Sequence, residues 1–578
     1  MKLSSLSLIS SGVVLAQGRQ PTVSAPAGVF TGNASIAQLD QFLGIPYAQP
    51  PIESLRLANP LPLDADGSDK IEATAYGPGC PQFEDYAQYN GLSEDCLTLN
   101  VVRPASCSDH SEPLPVMFWI HGGGNANGQS IFYNGTALVQ HSIAIGQPVV
   151  YVGINYRLGG FGFLNSPAVQ EAGVTNLGLK DQYLALQWAH DNIAAFGGDP
   201  DKVTIFGESA GAADCWAQLH YAYKNNETNT YFRGMITQSG APGSPAYPLA
   251  LSAEEGADLY AQVIAETNCS AGGLDCLRTL SYEDIAPILV NVSSADFAID
   301  GDWFDADLAS LVESGQFSAM PIIHGSNLNE GVVFMPDAFD YPDRDDLIEA
   351  VAEWIDDDTA AAEKIVDAYF ASSDEALGKG VLGDPTADHG FWVAQAVYSD
   401  LRMDLGKQTW LHMASTKSQA WGYDLRQQPP LAALNLSYEY PGNSQEYARR
   451  VGVFHGAELP YVFGEATSLK NRTQGDDDVS IAIMDAWIEF AYCLDPNGVK
   501  GRRILCNASH KWLLTSTQAR MAYLTGRRST QVKSVSSWSS RNKPVWNRES
   551  CKTRCGRMST TSGQKCFPNR VARLPFEH

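Results

Sequence analysis

Short unbroken apolar runs alternate, in the first half of the chain, with glycine-rich turns and with stretches whose apolar residues recur every three to four positions. Pro115-Val116-Met117-Phe118-Trp119-Ile120 is apolar without interruption, and so is most of the run from Pro148 to Ile154. Runs of that kind predict strands buried on both faces, as in a parallel sheet covered by helices. A third run, Val203-Thr204-Ile205-Phe206, leads into Gly207-Glu208-Ser209-Ala210-Gly211 and then into a helical stretch starting at Ala212. Between the second and third runs, residues 176–196 carry Leu177, Leu184, Leu186, Trp188, Ile193 and Phe196 at helical spacing and stop at Gly197-Gly198-Asp199-Pro200. Earlier strands are predicted over residues 42–48 and 94–101. The later chain repeats the rhythm more loosely, with strands predicted over 320–325 and 420–425 and helical segments over 344–370, 392–415 and 479–493. Strand, glycine turn, helix, strand is the order of an α/β protein, so a large, mostly parallel central sheet flanked by helices is expected.

The 578 residues are 44% hydrophobic and 10% aromatic, enough for a large core. The net charge of −26 is uneven: residues 501–578 carry 16 Lys and Arg against 2 Asp and Glu, leaving 23 basic and 63 acidic side chains in the first 500. A body that acidic repels phosphate, which excludes nucleic acid and anionic membrane as expected partners. Residues 1–16, apolar and Ser-rich after Met1-Lys2, read as a secretory signal peptide with Val14 and Ala16 at the cleavage site. No later run is long enough to span a bilayer, so no integral membrane segment is expected. Eight N-x-[ST] sequons follow, at Asn33, Asn134, Asn226, Asn268, Asn291, Asn435, Asn471 and Asn507. Together with the signal they predict a secreted glycoprotein. In that compartment most of the 11 cysteines should pair. Cys80 with Cys96 and Cys269 with Cys276 are the expected local bridges, each closing a short polar loop; Cys215 is expected as a buried free thiol, and the pairing of Cys107, Cys493, Cys506, Cys551, Cys555 and Cys566 is left open. No cysteine or histidine spacing matches a zinc site, and no metal or cofactor is expected. A main domain is expected over 17–530, with residues 531–578 a basic, Ser- and Arg-rich tail expected to be disordered.

The chemistry centres on Gly207-Glu208-Ser209-Ala210-Gly211. The pattern G-x-S-x-G carries meaning only between a strand and a helix, and here it has both. The glycines two residues either side let the turn close, so that Ser209 stands clear of the sheet as a nucleophile. A serine hydroxyl needs a base, and the base needs an orienting acid. His455 sits on a loop beyond a late strand, between Gly452 and Gly456, whereas His389 and His412 fall in or beside helical segments. For the acid, Glu330 follows the strand at 320–325 in a polar loop closed by Gly331; Asp300, before Gly301, is the rival. His121-Gly122-Gly123-Gly124 ends a buried strand, where glycine N–H groups suit a developing oxyanion.

These segments resemble the type-B carboxylesterase/lipase family, the α/β-hydrolases that include the cholinesterases and secreted fungal esterases. The resemblance covers roughly residues 27–525. It rests on Glu94-Asp95-Cys96-Leu97, the His121 glycine run, Asn155-Tyr156-Arg157-Leu158-Gly159, Phe196-Gly197-Gly198-Asp199-Pro200, the Ser209 pentapeptide, Gly325-Ser326-Asn327 through Glu330-Gly331, and His455 with Glu458. It implies an α/β-hydrolase fold and hydrolysis of small-molecule carboxylic esters, with Ser209 as nucleophile, His455 as base and Glu330 as orienting acid. It also implies Gly123, Gly124 and Ala210 as oxyanion donors, both disulfides, and internal ion pairs Arg56–Glu94 and Arg157–Asp181. Two features depart from the family. The loop between Cys80 and Cys96 is short and acidic, unlike a lipase lid, and carries Phe83, Tyr86 and Tyr89 but not the tryptophan of cholinesterases. The basic tail matches nothing in the family. The aromatic stretch 294–305 is the alternative candidate for a lid. A secreted serine esterase is therefore expected; a lipase acting on long-chain acylglycerols and a non-catalytic, adhesion-type member are the alternatives. The sequence leaves the natural ester and the oligomeric state open.

Overall fold

Consecutive side chains of a strand point to opposite faces of its sheet, and here both faces are apolar. The computed structural model describes residues 20–516 apart from 65–66, 108–111, 243–249, 293–295, 335–343, 354, 356–357, 374–376, 378–388, 431–451, 466–471 and 498–514. The strands β1 (Leu39–Pro46), β2 (Thr98–Pro104), β3 (Leu114–Ile120), β4 (Val150–Ile154), β5 (Gly198–Glu208), β6 (Gly234–Gln238), β7 (Ile322–Asn327), β8 (Ala420–Leu425) and β9 (Thr515–Ser516) form one nine-stranded sheet. Its order is β9-β8-β7-β6-β5-β3-β4-β2-β1. From β8 across to β4 the strands run parallel. Antiparallel strands close both edges, β2 and β1 on one side and β9 on the other.

Val116, Phe118 and Ile120 of β3 join Val203 and Ile205 of β5 in one apolar layer. Leu186 and Trp188 of helix α1 (Leu177–Asn192) and Trp216 and Leu219 of helix α2 (Ala210–Lys224) complete that layer. Met117 and Trp119 face the other way and pack with Phe206, Ile236 and Ile323 against Trp487 and Phe490 of helix α3 (Gln474–Cys493). The sheet is thus an apolar plate between two helical layers. The parallel strands all end at one side, where the site residues gather.

Several boundaries differ from the sequence reading for identifiable reasons. The strand expected over 94–101 begins at Thr98, because Cys96 is bonded to Cys80 and Glu94 to Arg56. The segment 344–370 is two helices, Arg344–Glu353 and Thr359–Phe370, the second started by the Asp358 side chain accepting from Ala361 N–H. Residues 392–415 lie in two helices joined by a wide turn, Asp400–Asp404. Helix α3 starts at Gln474, earlier than its apolar pattern, because Thr473 and Asp476 form a capping box. Strand β6 was not anticipated: its five residues include Thr237 and Gln238, too short and too polar to register as an apolar run.

Both expected disulfides are present, Cys215 is a buried free thiol, and Cys107 is buried. Of the sequons, Asn134, Asn226, Asn268 and Asn291 are exposed and Asn33 is half-buried. Asn435, Asn471 and Asn507, the signal over 1–16, the tail over 531–578 and Cys506, Cys551, Cys555 and Cys566 lie outside the described residues. Among the described residues no helix is long and apolar enough to cross a membrane.

Both expected ion pairs are buried. Arg56 Nε and Nη2 donate to Glu94 Oε1 (2.5 Å) and Oε2 (2.7 Å). Arg157 donates to Asp181 through Nε (2.8 Å), Nη2 (2.6 Å) and its own backbone N–H (3.0 Å). A forked guanidinium matches a carboxylate geometrically, and the pair repays desolvation only while both halves are present. Asp181→Ala should therefore lower stability by about 3–5 kcal/mol, read from urea unfolding. A loss below about 1 kcal/mol would show that water solvates the orphaned guanidinium.

Candidate active site

The site is built on the turn from β5 into α2. Ser209 has φ +55° and ψ −124°, a conformation that L-residues avoid at a cost of about 1–3 kcal/mol. Close packing forces it. A Cβ on Gly207 would lie 2.5 Å from Gly211 O, and one on Gly211 would lie 2.2 Å from Ile120 O. Only glycine lets helix α2 sit this close to the end of β3. The Ser209 N–H donates to Gln238 O of β6 (2.8 Å), fixing the turn from the other side.

Ser209, His455 and Glu330 converge. The Ser209 hydroxyl donates to His455 Nε2 (2.7 Å), and His455 Nδ1–H donates to Glu330 Oε2 (2.6 Å). His455 and Glu330 are buried and Ser209 is half-exposed, so Ser209 is the accessible end of the chain of bonds. The other oxygen of Glu330, Oε1, accepts from Ser239 Oγ and from Asn327 N–H, both at 2.6 Å. Bonded through both oxygens, the carboxylate is held in one orientation toward the imidazole. Glu208 Oε1 lies 3.3 Å from His455 Nε2 and places a second carboxylate beside the ring.

The His455 loop is bonded to the loop that carries Glu330. Asn329 Oδ1 accepts from Val453 N–H (2.9 Å), and Asn329 N–H donates to Val453 O (2.9 Å). Gly452 must be glycine here: its φ is +63°, and a Cβ would lie 2.4 Å from Asn329 Oδ1. Asn327 Nδ2 donates to Phe454 O (2.9 Å) and to Glu458 Oε2 (2.5 Å). Burial, and next the nearby Glu330 charge, raise the Glu458 pKa, while Asn327 and Gln238 donate to its carboxylate. On the outer side the Phe334 ring stands edge-on to His455 at 4.9 Å.

Gly122 to Asn127 form a tight turn next to Ser209, close enough that a Cβ on Gly122 would lie 3.0 Å from Ser209 Cβ. Gly123 C=O accepts from Ala126 and Asn127 N–H (3.1 and 2.9 Å). In a trans peptide C=O and N–H point oppositely. Pinning that carbonyl to the N–H groups of its own turn therefore points Gly124 N–H away from them. Among the described residues, Gly123, Gly124 and Ala210 donate their N–H to no backbone acceptor outside regular elements. His121, ahead of the turn, is pushed down to about 4 by burial, so it is neutral, and it stacks on Tyr156 at 4.5 Å.

The rival residues have other surroundings. Asp300 accepts from the backbone N–H groups of Asp302, Trp303 and Phe304, from Thr175 Oγ1 and from Asn176 Nδ2, and so closes a turn. His412 is exposed, and His389 bonds to Phe370 O. The stretch 294–305 is described from Asp296 onward, where Phe297, Trp303 and Phe304 are buried in the core. Trp303 stacks on Tyr221 at 4.1 Å, so these aromatics hold the body together instead of covering the site. Ser239, Asn329 and the position of Glu208 were not anticipated as parts of the site. Glu208 was visible inside the pentapeptide, but Ser239 follows the unforeseen β6 and carried no sequence signal.

A family model described as the Carboxylesterase family matches residues 19–542. The chain belongs to that family. It is 37% identical over 369 residues to Lipase 2 of Diutina rugosa, an alignment covering 57% of this chain and 65% of that protein, less than two thirds of the relative's length. It is 32% identical over 518 residues to Secreted triacylglycerol lipase LIP1 of Gibberella zeae, covering 82% of each. Among solved structures, a PNB esterase superposes with a TM-score of 0.65 at 30% identity, covering 83% of this chain and 92% of that one. The α/β-hydrolase fold of the family agrees with the parallel sheet and the sharp strand-to-helix turn at Ser209.

Proposed function

We propose that the protein is a secreted serine esterase that cleaves carboxylic esters through an acyl-Ser209 intermediate. The observation that carries this reading is the bonded series Ser209–His455–Glu330 at 2.7 and 2.6 Å, with the serine held at positive φ. Ser209 Oγ attacks the ester carbonyl carbon while its proton passes to His455 Nε2. Glu330, with Glu208 alongside, stabilises the imidazolium that forms. The carbonyl electron pair moves onto oxygen, and the N–H groups of Gly123, Gly124 and Ala210 receive it. His455 then gives its proton to the departing alkoxide, leaving the acyl group on Ser209. Water, deprotonated by the same imidazole, releases the acid. Secretion is supported by two disulfides, by four exposed sequons and by a relative whose name includes secretion. The preserved nucleophile, base and acid weigh against a non-catalytic member.

Relatives named lipases favour a second reading, action on long-chain acylglycerols. Against it stands the loop between Cys80 and Cys96. Gln82 is buried, accepts from Gly128 N–H (2.8 Å) and donates to Gly128 O (2.9 Å), while Gln129 Nε2 donates to Tyr86 O (3.1 Å). Tyr89 packs edge-on against Phe132 at 4.6 Å. A lid must swing away and offer an apolar face to an interface. This loop is tied down at both ends and along its length. Soluble or short-to-medium esters are the substrates this rim suits.

Ser209→Ala and His455→Ala should each lower kcat by roughly 10³- to 10⁶-fold, and the double variant little further. An organophosphate labelling a different residue in active protein would refute the assignment. Glu330→Gln should depress kcat by roughly 10²- to 10⁴-fold with the fold intact, whereas Asp300→Asn should act mainly on the unfolding midpoint. The reverse ranking would give Asp300 the role. Rate against tributyrin concentration should rise smoothly through the solubility limit; a steep jump as droplets form would favour the lipase reading.

A further inference from the structure

Asp214 lies on the second turn of α2, with its carboxyl completely buried. Among the described residues no cation pairs with it: Oδ2 accepts from Gln182 Nε2 of α1 (2.6 Å) and Oδ1 from Asn125 Nδ2 (3.2 Å). An uncompensated carboxyl is a costly way to fill space in a core, since burial disfavours its charge. Burial pushes this one up to about 7, with Gln182, Asn125 and Tyr156 pulling the other way.

What the carboxyl holds is the residue after the glycine run. Asn125 has φ +55° and is buried. Its backbone C=O accepts from Gly159 N–H (2.8 Å). Its Oδ1 lies 3.1 Å from the Tyr156 hydroxyl, which also reaches His121 O (2.7 Å). Both sides of the glycine run 122–124 are thereby fixed to one buried polar cluster, at His121 by Tyr156 and at Asn125 by Asp214, Tyr156 and Gly159. Asp214 sits on the same helix that begins at the nucleophile, so the carboxyl sets the distance between Ser209 and the turn bearing Gly123 and Gly124.

We infer that Asp214 is a positioning residue: through Asn125 it holds the oxyanion turn in register with Ser209 before substrate arrives. The inference rests on the esterase reading above. It predicts a loss confined to the transition state, because the N–H groups of the turn engage the oxyanion and not the ground-state ester.

The test uses p-nitrophenyl butyrate for kcat and KM. It also uses a trifluoromethyl ketone, whose carbonyl carbon Ser209 Oγ attacks to leave an oxyanion facing the same N–H groups. Asp214→Ala should lower kcat roughly 10- to 100-fold, leave KM within about threefold, and weaken the ketone by a factor similar to the kcat loss. Asp214→Asn keeps an acceptor for Asn125 and should recover most of that loss. Should Asp214→Ala fail to fold, Asn125→Ala breaks the same bond from the other end and should show the same paired losses. A folded Asp214→Ala or Asn125→Ala protein with unchanged kcat and ketone affinity, or one altered only in KM, would overturn the inference. Wild-type and Ser209→Ala rates judge the esterase reading separately. If the wild type does not cleave the ester, both readings fall; if it does and Ser209→Ala does not, the variant ratios judge Asp214 alone.

Discussion

The site depends on one steric constraint, the close approach of helix α2 to the end of β3. The positive φ of Ser209 is not a local preference. It is imposed by backbone that comes within van der Waals reach at Gly207 and Gly211, and at Gly240, where a Cβ would lie 2.1 Å from Ser209 O. An apolar plate packed on both faces holds β3, β5 and β6 rigidly enough to sustain that strain. The cost of the turn is spread over the core, and its return is a hydroxyl standing clear of its own sheet.

The same economy of position governs His455. His455 belongs to no helix or strand, yet it is buried and bonded on both ring nitrogens. Its loop borrows order from the Glu330 loop through Asn327 and Asn329, and Glu458 anchors Asn327 in turn. His455 and Glu330 are thus parts of one bonded unit, delivered together to Ser209.

The strands from 114 to 206, the helix after Gly207 and the pairing of Ser209 with a later Glu and His were legible because each has a local pattern: an apolar run, a glycine turn, a polar loop after a strand. What was not legible depends on partners far away in sequence. Ser239 meets Glu330 across 91 residues, and Asn329 meets Val453 across 124, with no periodicity to announce either. Asp300 looked like a site acid because a carboxylate before glycine marks both active-site loops and ordinary turns; only its five donors distinguish them. The aromatic stretch near 303 misled for a related reason. Clustered aromatic residues suit a rim and a core equally, and Trp303 and Phe304 are core.

The tethering of the loop between Cys80 and Cys96 has an evolutionary side. Gln82 and the backbone of Tyr86 carry its anchoring bonds and Tyr89 its contact with Phe132, whereas Phe83 and Glu84 are exposed, Phe83 at 42%. Anchor and display are therefore separate residues on one loop. Substitutions at the displayed positions can reshape the mouth while the bonds to Gly128 and Gln129, and through them the approach to the glycine turn, stay as they are. A lineage carrying this scaffold can explore new ligands by changing a few surface side chains, without passing through forms in which Ser209, His455 and Glu330 are out of place.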